Sequence, residues 1–300
     1  MFSTLAPNVL PIRVPFARQL ELAHAFGFDA LDLPMKHFVT GPRAWSPGQV
    51  GEMYAVHELR CGGWQLPFNY EGGDGEFAAG LKLLPRAARL ARALASPWCF
   101  SWIEPSSDEL DLASNTARYV KRLRAMADVL GDHDCRLGLE FIGPKTLRVG
   151  HRFDFVHTLE GALDLFAAVD RPNMGLLLDC FHWYTSHGSV AELTALTASQ
   201  VVYVHINDAV PEVEVDEQLD DVRLLPGESG VIDISAFLEA LDTIGYSGPV
   251  AVEPFSAAVA AAPARDRVGL AASSLHSVFA ATGLQLGHHA GANGHSRVAH

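Results

Sequence analysis

Four polar side chains interrupt four apolar runs in the second half of the sequence. Glu140 closes RLGLE, Asp179 closes MGLLLD, His205 sits near the end of VVYVH, and Glu253 closes PVAVE. If those runs are consecutive parallel strands, all four side chains face one rim, where parallel α/β barrels carry their chemistry. Two glutamates, an aspartate and a histidine make a mixed oxygen and nitrogen donor set. Such a set suits one divalent ion: Mn²⁺ first, with Mg²⁺, Co²⁺, Zn²⁺ or Fe²⁺ as alternatives. No cysteine falls among the four, which argues against a structural zinc site.

More polar residues lie close by. Asp179 continues as Cys180-Phe181-His182, so a D-x-x-H pattern adds an imidazole to the same rim loop. His205-Ile-Asn-Asp208 repeats the spacing in reverse one run later. Asp208 either orients a ligand histidine or caps a loop. A long acidic connection then leads to Arg223-Leu-Leu-Pro226-Gly227-Glu228-Ser229-Gly230. Loops of that length inside a compact domain are more often functional than not. Arg223 is either a cation for an oxygen-rich ligand or a partner of the adjacent acids.

Eight short β-leaning runs would position these residues: 8–13, 29–33, 62–66, 97–103, 136–142, 174–179, 201–206 and 249–254. Helical stretches are expected between them at 15–26, 76–95, 108–130, 157–169, about 189–198, 233–244 and 264–281. Pro15 and Gly27 bracket the first of these in the usual helix asymmetry. Ile234, Phe237, Leu238 and Leu241 form an i, i+3, i+4, i+7 stripe. Strand–helix alternation of this kind predicts an α/β fold, a single (β/α)8 TIM barrel over 1–282. A doubly wound open sheet is the competitor, weakened by the lack of a G-x-G-x-x-G turn after the first run. The remaining 283–300, with four of the fourteen histidines, is expected to be a disordered tail.

Composition narrows the class. A chain of 300 residues buries about three-quarters of its extended surface without any staple. Its 22 Lys and Arg against 35 Asp and Glu give a net charge of −13, which argues against nucleic acid as a partner. Four scattered cysteines, no basic-then-apolar leader and no long apolar run predict a cytoplasmic protein without membrane association. Oligomeric state is left open.

The blocks LGLEFIGPKTLR, MGLLLDCFHWYTSHG, VVYVHINDA, RLLPGESGVID and GYSGPVAVEPF resemble the sugar phosphate isomerase/epimerase family. Its members have xylose isomerase-like barrels, and the phrase EFIGPKTLR is most similar to the inosose isomerase-like branch. The resemblance implies metal ligation by Glu140, Asp179, His205 and Glu253. It also implies acid–base work by Glu140 and Glu253, and substrate contact by His182 and Arg223, with Lys145 and Arg148 as further contacts. Ser229, inserted before the last glycine of P-G-E-S-G, departs from the family pattern. In such an enzyme a divalent ion stabilises the enediolate formed when a proton leaves the carbon beside a ketone.

The implied function is a metal-dependent isomerase or epimerase acting on a keto-sugar or keto-cyclitol, with β-elimination by a dehydratase as the alternative. A DNA-cleaving relative of the endonuclease IV kind is disfavoured by the charge and by early strand ends that offer only Asp32, Pro67 and Glu104. A sugar-binding barrel without catalysis has no need of the four-ligand set. Trp45, Trp64, Phe68, Asn69, Trp102 and Glu104 are the candidates for substrate selectivity.

Overall fold

The computed structural model describes residues 1–43 and 45–287. Its main sheet is parallel throughout, and eight strand positions follow chain order: β1 (Phe2–Leu5), β2 (Ala30–Leu31), β3 (Arg60–Cys61 and Trp64–Gln65), β4 (Trp98–Ile103), β5 (Arg136–Phe141), β6 (Met174–Asp179), β7 (Val201–Ile206) and β8 (Pro249–Val252). Each strand pairs with its chain neighbour, and β8 pairs back onto β1 through Phe2↔Pro249. The two pieces of β3 form the two ends of the sheet, one on β2 and the other on β4. Because Gly62-Gly63 joins those pieces, the sheet closes on itself as a TIM barrel.

Glycine is required at that join. A Cβ on Gly62 would sit 2.3 Å from both Asp32 Oδ1 and Thr4 Oγ1, and one on Gly63 would sit 2.5 Å from the Tyr203 ring. Removing both side chains lets Asp32 and Tyr203 fill the barrel interior, where the Tyr203 hydroxyl donates to Asp32 Oδ2 at 2.7 Å. Ala6, Phe100, Leu177, Tyr203 and Ala251 pack together as the inner core. The larger core lies between strands and helices, as expected for parallel strands covered on both faces.

The first strand differs from the sequence reading. It is Phe2–Leu5, and 8–13 is a turn whose Leu10 and Ile12 pack into the core. Ser3 and Thr4 make the true strand look polar, but both are buried with their hydroxyls on Asp29 and Asp32. Several short helices also had no periodic signal, among them Met35–Thr40, Pro47–Val56 and Cys180–Thr185. The Ile234–Thr243 helix buries Ile234, Phe237, Leu238 and Leu241 as its stripe predicts. Residues 288–300 of the expected tail, including its four histidines, lie outside the described residues.

Candidate metal centre

Sheet register brings the three acids and the imidazole together. His205 lies directly beside Asp179 across β7 and β6. Glu140 stands one strand further round, next to Trp102 of β4, and Glu253 follows the last residue of β8 with its N–H on the Ile206 carbonyl. Their ligand atoms all fall within 4.8 Å of one another, and all four residues are buried. His205 Nδ1 faces Glu140 Oε1 and Glu253 Oε2 at 3.3 Å each and Asp179 Oδ2 at 3.8 Å. Three carboxylates converging on one buried point need a cation, so the donor set fits a divalent ion.

The positions of these groups have local causes. Asp179 caps the Cys180–Thr185 helix, accepting the Phe181 N–H at 2.6 Å, while the Asn207 amide donates to both its oxygens at 3.0 and 3.2 Å. Asn207 went unnoticed in the sequence because a buried amide beside a ligand carries no spacing signal. Asp208 resolves in favour of a loop cap: it accepts the N–H groups of Ser229, Gly230 and Ile232 at 2.8–3.1 Å. Asp208→Ala should therefore lower stability by about 3 kcal/mol, because each buried donor left bare costs about 1–3 kcal/mol. A shift of the denaturation midpoint with metal content retained would check this.

Arg223 and His182 complete the wall. The fully buried Arg223 guanidinium lies between the Phe181 and Phe255 rings, 4.8 and 4.7 Å from their centroids. Its Nη1 donates to Glu253 Oε2 at 2.6 Å and Asp179 Oδ2 at 3.1 Å. Burial and the neighbouring Arg223 charge push the His182 pKa well below the ordinary imidazole value, so this ring is neutral. The Gly143 N–H approaches its Nδ1 at 3.2 Å, and any Cβ on Gly143 would strike the His182 carbonyl.

Protonation within the cluster is uneven. Burial, then the charge of Glu253, pushes Glu140 up to about 7. Burial also pushes Glu253 upward, but the His205 and Arg223 charges outweigh it and hold that carboxyl well below its usual range. His205 is raised against the effect of burial by the Glu253 and Glu140 carboxylates. Burial raises Asp179 well above its ordinary value too, so an ion can bind only after Glu140, Asp179 and His205 give up their protons. Metal affinity should accordingly fall by at least about tenfold between pH 8 and pH 6, the loss steepening below the Glu140 value. Calorimetric titration with Mn²⁺ at the two pH values tests this, and equal affinities would refute the assignment.

A cleft of about 340 Å³ opens above the cluster. Trp102 and Glu104 line it, together with Asp220, a residue the sequence reading passed over. Phe68 and Asn69 line an adjoining cleft that shares Trp102 and Glu104. Trp64 is instead a core residue whose indole donates to the Ser96 carbonyl, and Trp45 packs on Phe38. Lys145 pairs with Asp216 at 2.6 Å, and Arg148 with Asp154 at 3.5 Å. Neither basic side chain lines the cleft, though Leu147 between them does.

A closed eight-stranded barrel with an acid–imidazole cluster at the ends of its last four strands defines the class of protein. A family model described as xylose isomerase-like TIM barrel matches residues 20–276, and the chain belongs to that family. It is 31% identical over 166 residues to an inosose isomerase of Halalkalibacterium halodurans, a stretch covering 55% of each chain. Over 163 residues it is 31% identical to a 3-dehydroshikimate dehydratase of Pseudomonas putida, covering 51% of this chain and 25% of that one. The chain spans about half the length of the inosose isomerases it matches, 45% of one and 55% of another. A solved xylose isomerase domain protein of Alicyclobacillus acidocaldarius superposes with a TM-score of 0.84 at 30% identity, over 94% of this chain and 99% of that one. Among the described residues, no helix is long and apolar enough to cross a membrane.

Proposed function

We propose that this protein is a divalent-metal-dependent isomerase or epimerase that moves a proton on the carbon beside the carbonyl of a keto-sugar or keto-cyclitol. The observation that carries this reading is the buried Glu140, Asp179, His205 and Glu253 cluster on the floor of an open cleft. A divalent ion held by these four would stabilise negative charge growing on the substrate's carbonyl oxygen. Glu253, a carboxylate paired with Arg223, is suited to take the proton from carbon. Glu140, the other glutamate of the cluster, is suited to return a proton to carbon. Two carboxyls at one centre can divide the base and acid roles between them. Neutral His182 and cationic Arg223 orient the substrate's oxygens, and Trp102 offers an apolar face for its ring.

Alanine at His182 or Arg223 should reduce kcat/KM by tens-fold or more, since each charge-assisted hydrogen bond is worth about 1.5–3 kcal/mol. Retained metal would accompany that loss, and full activity would remove the role. The reading as a whole is tested by screening keto-sugars and inososes with metal-reconstituted protein in D₂O. Carbon-bound deuterium in a product of otherwise unchanged formula is the expected result.

The second reading is a dehydratase, in which the same carbanion expels a neighbouring hydroxyl. The match to a 3-dehydroshikimate dehydratase favours it. A product lighter by one water would decide for it.

A further inference from the structure

Arg223 is held in an unequal way. One residue, Asp220, grips one edge of its guanidinium twice: the backbone carbonyl accepts Nε–H at 2.9 Å and Oδ1 accepts Nη2–H at 2.7 Å. The opposite corner, Nη1, spends both its hydrogens on Glu253 and Asp179, two of the four residues that would hold the ion. The fifth N–H direction faces His182 Nε2 at 3.2 Å. The rings of Phe181 and Phe255 also lie against the guanidinium, 4.8 and 4.7 Å from its central carbon. Four of five donors are thus committed to oxygens of the protein, and Arg223 has nothing to offer a substrate until Nη1 is released.

We infer that Asp220 is a positioning residue that clamps Arg223, and that the guanidinium is the counter-cation of the ligand set until a divalent ion takes Asp179 and Glu253 and frees Nη1 for the substrate. The inference rests on the proposed function only for that last clause. Two positive charges a few ångströms apart in a buried site repel strongly. The ion therefore competes with Arg223, and Asp220 decides how far the guanidinium can lean towards the ligands. Since Asp220 holds Nε and Nη2 whether or not Nη1 is engaged, the freed hydrogens stay at the cleft wall that Arg223 lines.

The test is metal affinity, measured by calorimetry with Mn²⁺ on the chelator-stripped full chain. R223M should bind the ion about tenfold more tightly than the parent, while its metal-free form melts at a lower temperature. D220A, which removes the Oδ1 contact and leaves the backbone carbonyl, should bind it more weakly, because a half-released Arg223 sits harder on the carboxylates. In the R223M background, D220A should have almost no effect. If metal-free R223M does not fold, R223K replaces it. Lysine keeps a charge without the two-point grip on Asp220, so the D220A effect should shrink there too. An R223M protein that binds Mn²⁺ no tighter, or a D220A effect of equal size in both backgrounds, overturns the inference. With a substrate found by the screen, D220A should lower kcat/KM at saturating metal. Should no ketone be turned over, the proposed function fails while the affinity measurements still judge the counter-cation role.

Discussion

Asp179→Asn should leave a folded protein that no longer retains a divalent ion, with metal content falling from about one per chain to near zero. The variant is chosen because Asp179 does two jobs. Its oxygens cap the Cys180–Thr185 helix and accept from Asn207, and they also face His205 and Arg223. Alanine would remove both the cap and the ligand, mixing a folding defect with a binding one. Asparagine keeps one oxygen for the cap and loses the charge that the ion requires. Even residues that only orient a ligand typically cost 10–100-fold in affinity when lost, so losing the ligand itself should cost about 100-fold or more. His205→Ala should act likewise, since an imidazole nitrogen beside three carboxylates has no substitute in the site. Elemental analysis of protein purified without chelator decides the matter. Unchanged metal in both variants would remove the cluster from consideration as a metal site, and every functional role built on it would go too.

The cluster was legible in the sequence because its members interrupt runs that are otherwise apolar on both faces. Parallel strands buried on two sides make a charged residue at the carboxyl end conspicuous. Late strands β5 to β8 were therefore easy to read, and β6 and β7 were read to the residue. The first strand shows the converse. Thr4 meets Asp32 inside the barrel and Ser3, on the opposite face of the strand, meets Asp29, so a buried strand reads as polar and the apolar turn after it reads as a strand. Asn207 escaped for a related reason: it acts through a tertiary hydrogen bond to Asp179, on a neighbouring strand end that only the folded sheet brings alongside. Asp220 lies three residues from Arg223 in the acidic run that the sequence offered as its partner, though which acid would pair was not legible. The basic pair Lys145 and Arg148 has tertiary partners that the motif does not show. Their types match the motif, yet their partners Asp216 and Asp154 draw both heads away from the cleft. Trp64 was misread because an aromatic residue near a strand end has the same appearance whether it faces a ligand or the helices behind the sheet.

Glu253→Gln should nearly abolish turnover, by about 10²–10⁴-fold, the range of a lost general base. Glutamine has the same shape, so packing against Arg223 and the β8 backbone is preserved. An amide, however, cannot take a proton from carbon. In the metal-free protein the charges of His205 and Arg223 keep this carboxylate ionised, and a bound ion would take over from the His205 charge in holding it in the state a base needs. The substitution also removes a negative charge from the ligand set, so weaker metal binding is expected and must be separated from lost chemistry. Assaying at metal concentrations that restore full occupancy, verified by elemental analysis of the same sample, does so. Wash-out of carbon-bound deuterium from labelled substrate then isolates the proton-transfer step from product release. Glu140→Gln supplies the comparison. If Glu253 is the base and Glu140 the acid, E253Q should stop loss of the label, while E140Q should still release it but fail to complete the product. A fully metallated E253Q protein working at near parental rate would show that Glu253 is a ligand alone. The base would then have to be sought elsewhere in the cleft, with Glu104 beside Trp102 as the next carboxylate to replace.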